Sequence, residues 1–64
     1  MTIRYQGKSV ETDAATVGAF LDLHGGTKDV VVEYKGEILK NAALSAARLE
    51  EGAELNTYRI VSGG

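Results

Sequence analysis

Side-chain chemistry is scarce in this sequence of 64 residues. It contains no Cys, which excludes a thiol nucleophile, a thiolate ligand and a disulfide framework, so any sulfur the protein handles must arrive from elsewhere. The single His, His24, makes a dedicated zinc site improbable. It also stands at an expected helix C-terminus, where the helix dipole favours a cationic side chain. Gly25-Gly26 lacks the glycine pattern of a phosphate loop and follows a helix instead of preceding one, so it reads as a cap. Glu50-Glu51 reads as a solvated turn. Nothing combines a nucleophile, a base and oxyanion donors, which leaves a free-standing enzyme as the weakest reading. What remains is the end of the sequence, Ser62-Gly63-Gly64, where small residues follow directly on an expected strand. Taken alone, such an ending is also what a frayed terminus looks like.

The elements that must position that end are few. A chain of this length has room for one domain and one modest core, burying only about 60% of the surface it exposes when unfolded. With 44% hydrophobic and 25% charged residues the composition is that of a folded globular protein. The net charge is −2 and the seven Lys and Arg residues are scattered from Arg4 to Arg59, so nucleic acid is a poor partner. No apolar run approaches the roughly 20 residues needed to span a bilayer, and Met1-Thr2-Ile3-Arg4 lacks the apolar core of a signal peptide. A cytoplasmic location is expected.

Thr2 to Gln6, the turn Gly7-Lys8 and Ser9 to Thr12 read as a β-hairpin. Val17, Phe20 and Leu21 recur at helical spacing after the N-cap residue Thr16, which predicts a helix from about Val17 to His24 with Gly18, Asp22 and His24 outward. Gly25 supplies the positive φ that ends it. The β-branched run Val30-Val31-Val32, continued by Glu33-Tyr34, predicts a central strand, and Glu37 to Leu39 its short return after Lys35-Gly36. Asn41 to Arg48 is helix-compatible, with Leu44 and Leu49 inward. Glu54 to Val61 reads as the last strand. Val17, Phe20 and Val31 are expected in the core. This order fits an α+β fold in which a helix covers one face of a mixed sheet.

The order, the length and the closing residues together resemble the ThiS/MoaD family of β-grasp (ubiquitin-like) sulfur carriers over essentially the whole chain. The most specific pieces are Val32-Glu33-Tyr34-Lys35-Gly36-Glu37-Ile38-Leu39 and Arg59-Ile60-Val61-Ser62-Gly63-Gly64, with Thr16-Val17 at the helix start. The chain departs from the family pattern at Gly52-Ala53, where Gly-Asp is common, and at Asn56 and Thr57, where apolar residues are usual. The resemblance implies a domain over residues 1–61 and a flexible tail over 62–64. It also implies a protein co-substrate rather than an enzyme. An E1-type, ThiF-like partner would use ATP and magnesium to adenylate the Gly64 carboxylate, and sulfur from a donor such as a cysteine desulfurase would displace AMP to give a thiocarboxylate. Thiazole formation in thiamin biosynthesis, with a ThiG-like thiazole synthase as acceptor, is the expected destination. A MoaD-like carrier for molybdopterin or another sulfur product, and a ubiquitin-like protein modifier, are the alternatives. No bound cofactor and no metal are expected in the chain itself.

Glycine has no Cβ, so Gly63 would let the tail thread a narrow passage while Gly64 carries the reacting group. Strand alternation sends Leu55 and Thr57 to one face and Asn56, Tyr58 and Ile60 to the other. If Leu55 faces the core, Tyr58 and Ile60, with Ser62 beyond them, are the expected partner-binding residues beside the tail.

Overall fold

The structure, a computed structural model, describes residues 1–59. Its elements are β1 (Thr2–Tyr5), β2 (Lys8–Glu11), α1 (Val17–Leu23), β3 (Val30–Tyr34), β4 (Glu37–Leu39), α2 (Ala42–Ala46) and β5 (Glu54–Arg59). The strands form one sheet in the order β2-β1-β5-β3-β4. β1 and β5 run parallel while the other neighbours are antiparallel, so the sheet is mixed as expected.

Local chemistry accounts for most of the boundaries. The Thr16 hydroxyl accepts the Ala19 N–H at 3.1 Å and caps α1. The helix stops at Leu23, one residue earlier than expected, with His24 as its C-cap. Gly25 and Gly26 both take positive φ, which lets the Gly26 N–H reach back to the Leu21 carbonyl at 2.7 Å. The first hairpin turns one residue earlier than expected, at Gln6-Gly7. Both take positive φ, 54° and 80°, as a two-residue turn between right-twisted strands requires.

The two helices lie on one face of the sheet and the core fills the space between. Val17, Phe20 and Leu21 of α1 meet Ile3 of β1, Val32 and Tyr34 of β3, Leu55 of β5 and Leu49 of the connection after α2, all buried. Leu44 is half-buried against this cluster. Val31 is not a core residue: it is only half-buried, and Val32 takes the buried place, because alternation allows just one of these neighbours to face the helices. Gly18 does not face open solvent either. A Cβ there would lie 3.3 Å from the Leu44 carbonyl oxygen, so the glycine is where α2 rests on α1.

The segments flanking the helices are stitched together by Val17 N–H to Ala47 O and Leu49 N–H to Ala15 O, both 3.0 Å. Tyr34 holds the following turn, its hydroxyl donating to the Arg48 carbonyl and accepting the Glu50 N–H, each at 2.9 Å.

Candidate functional site

The middle of the sheet belongs to β5, not to β3 as the run of valines suggests; β3 is the inner strand beside it. The last element of the described chain is therefore held on both sides. Residues Glu54 and Leu55 pair with Arg4 and Tyr5, and the whole strand pairs with β3, from Leu55 opposite Tyr34 to Arg59 opposite Val30. Beyond Leu55 the β1 side is continued by a side chain. The Gln6 amide accepts the Thr57 N–H at 3.1 Å and donates to the Thr57 carbonyl at 3.0 Å and hydroxyl at 2.8 Å, adding a rung where the β1 backbone turns away. Glu54 to Thr57 are thus held along both edges, and Tyr58 and Arg59 along the β3 edge.

Alternation along β5 has the expected parity. Leu55 is fully buried against the helices and Tyr58, with half its surface exposed (52%), stands on the opposite, open face. Register places Val31 directly opposite Tyr58, Glu33 opposite Asn56, and Ile38 of β4 opposite Glu33, all on that face. The Tyr58 hydroxyl donates to Glu33 Oε1 at 3.1 Å, and the Asn56 side-chain amide reaches the same oxygen at 3.5 Å. The bond to Glu33, with the negative charge of that carboxylate, raises the Tyr58 pKa above the ordinary tyrosine value, because ionisation would place two anions together. The sequence singled out Tyr58 but not Glu33, whose role depends on the pairing of β3 with β5.

Of the other expected site residues, Ile60, Ser62, Gly63 and Gly64 lie outside the described residues. His24 packs its ring on Phe20, centroids 4.2 Å apart and 26° from parallel, with Tyr5 edge-on to Phe20 at 5.0 Å. It is a packing residue at the end of α1. Glu50 pairs with Lys35 at 2.7 Å, and Glu51 accepts the Thr2 N–H, so both acids of the turn have local partners. Among the described residues there is no group of three or more His, Cys, Asp or Glu side chains able to hold a metal ion, and no helix long and apolar enough to cross a membrane. A cleft of about 680 Å³ lies between α1, α2 and the β3–β4 edge, lined by Gly18, Asp22, Val30, Leu39 and Leu44 among others. Tyr58 does not line it.

No family model and no curated protein matches the chain. Among solved structures, the thiamine biosynthesis protein ThiS from Geobacter metallireducens is similar over 100% of both chains, with a TM-score of 0.83 and 26% sequence identity. The mixed five-stranded sheet with its covering helices has the same architecture as that protein. By its fold and by this full-length similarity, the chain is a ThiS-like β-grasp protein.

Proposed function

We propose that the chain is a sulfur carrier of thiamin biosynthesis that works through the carboxylate of Gly64. The observation that carries this reading is the full-length likeness to ThiS in a sequence that runs from a doubly held β5 to Ser62-Gly63-Gly64. A carboxylate is a poor electrophile, so it must first be activated. One carboxylate oxygen attacks the α-phosphorus of ATP and expels pyrophosphate, leaving an acyl adenylate. The terminal sulfur of a persulfide then attacks the acyl carbon and AMP leaves. A second thiol attacks the outer sulfur of the resulting acyl disulfide, the one that belongs to the donor cysteine, forms a disulfide with that cysteine and expels the thiocarboxylate. A ThiF-like adenylating enzyme supplies ATP, magnesium and the site for this chemistry, a cysteine desulfurase supplies the persulfide, and a ThiG-like thiazole synthase accepts the sulfur.

The chain's own residues position the reacting end. Residues 1–61 act as the folded body and 62–64 as the tail. Tyr58, Ile60 and Ser62 serve partner docking, while Gly63 gives the backbone close approach. The test is ATP–pyrophosphate exchange in the presence of the adenylating enzyme. Wild-type chain should support exchange, and deletion of Gly64, which withdraws the carboxylate by about 3.5 Å of extended chain, should abolish it. Exchange that persists in the deletion variant would show that the reacting group is elsewhere.

A further inference from the structure

The open face around Tyr58 is both apolar and acidic. Val31 and Ile38 flank Tyr58 and Glu33 in register, and Ile38 is 51% exposed. On the same face alternation places Glu54 and Glu11, against a single strand cation, Arg4. Arg4 stands opposite Glu54 in register but makes no ion pair with it; its guanidinium donates to the Gly7 carbonyl at 3.3 Å. Among the described residues the one ion pair is Lys35–Glu50, so neither Glu33 nor Glu54 is neutralised within the fold. Both described bonds to Glu33 fall on Oε1.

These facts constrain what can cover Tyr58. A purely apolar partner would strip water from the half-buried Glu33 carboxylate without replacing it, which is costly for a charged group. A partner that brings a cation restores the lost hydration with a charge-assisted bond, strengthened by the lowered local dielectric. The geometry offers such a side chain two further contacts: the Tyr58 ring for the cation and the Val31–Ile38 surface for an aliphatic stem. Arginine fits best, since a planar guanidinium can stack on the ring while its several N–H groups reach a carboxylate.

We propose that the open sheet face is an acidic, aromatic receptor for an arginine side chain of the protein that activates the tail, with Glu33 and Glu54 as its anionic groups and Tyr58 as its platform. The identity of that partner rests on the carrier reading above; the chemistry of the surface does not. Glu33→Gln and Glu54→Gln together should weaken binding to the adenylating enzyme roughly tenfold and flatten its dependence on salt, with the maximal rate of adenylation retained. Glutamine still accepts the Tyr58 hydroxyl, so the melting temperature should stay within a few degrees of wild type. Unchanged affinity and salt dependence in the double variant would overturn the proposal.

A second arm needs no enzyme. The wild-type chain is titrated by NMR with the amidated peptide acetyl-Leu-Arg-Leu and with its citrulline twin, which keeps the shape and loses the charge. The arginine peptide should shift Val31, Glu33, Ile38, Glu54 and Tyr58, and the citrulline peptide should not. Equal shifts with both peptides, or shifts confined to another surface, would overturn the proposal. Were the wild-type chain never adenylated, the carrier reading would fall and the peptide titration alone would decide this one.

Discussion

The contact of Tyr58 with Glu33 should be detectable in the titration of the tyrosine. The Tyr58 hydroxyl donates to Glu33, so its pKa is raised and the bond is present at neutral pH. Because a raised folded-state pKa favours the protonated fold, any stability from this bond is complete below the unfolded tyrosine pKa and is lost as pH rises through the folded value. In the Glu33→Gln variant the Tyr58 phenolate should form at lower pH than in wild type, read by NMR of the ring; an unmoved titration would mean that the bond does not exist in solution. Gln6 is the other residue with a specific role, since its amide supplies the rung that β1 cannot. Gln6→Ala should speed hydrogen exchange at the Thr57 amide while leaving exchange at Leu55 largely unchanged, and equal acceleration at both would assign Gln6 to general stability instead. Tyr34→Phe removes a buried hydroxyl that both donates and accepts, and should cost about 1–3 kcal/mol in denaturant unfolding. Neither Gln6 nor Tyr34 announced itself in the sequence. Their partners lie 51 and 14 or 16 residues away, and side-chain bonds over such distances leave no periodic trace.

The elements themselves were far more legible, because capping, β-branching and glycine act locally. Thr16 capped the helix that its position predicted, Val30–Tyr34 and Glu37–Leu39 formed the expected strand and return, and the alternation of β5 put Leu55 in and Tyr58 out. What failed depended on which element lies beside which. Val31 follows Tyr58 to the open face because the two are paired, and a valine run alone does not say which of its members turns inward. Gly18 occupies what reads as an outer position of α1 until α2 is seen resting on it. The first turn was displaced because Gln6 is not a usual residue for positive φ. The resulting core makes a quantitative prediction. Phe20→Ala should cost about 3–5 kcal/mol, a large share of the stability of so small a domain. Val32→Ala should cost clearly more than Val31→Ala, and the reverse order would mean that β3 faces the helices with its other side.

At the scale of the whole molecule, the fold places β5 in the middle of the sheet and leaves one face of that strand open; under the proposed function a partner would bind that face while Gly64 enters its site. Docking and chemistry should therefore fail separately. Tyr58→Ala should weaken binding to the adenylating enzyme by roughly 1 kcal/mol or more and leave the carboxylate competent at saturating partner, whereas loss of Gly64 should abolish reaction at any concentration. Both variants should melt within a few degrees of wild type. Sulfur loading of the tail is read from the intact mass after incubation with the adenylating enzyme, ATP, magnesium, a cysteine desulfurase with cysteine, and a reducing thiol. One oxygen should be replaced by sulfur, localised to Gly64 by fragmentation; an unchanged mass with an enzyme that activates other carriers of this kind would rule out the carrier function.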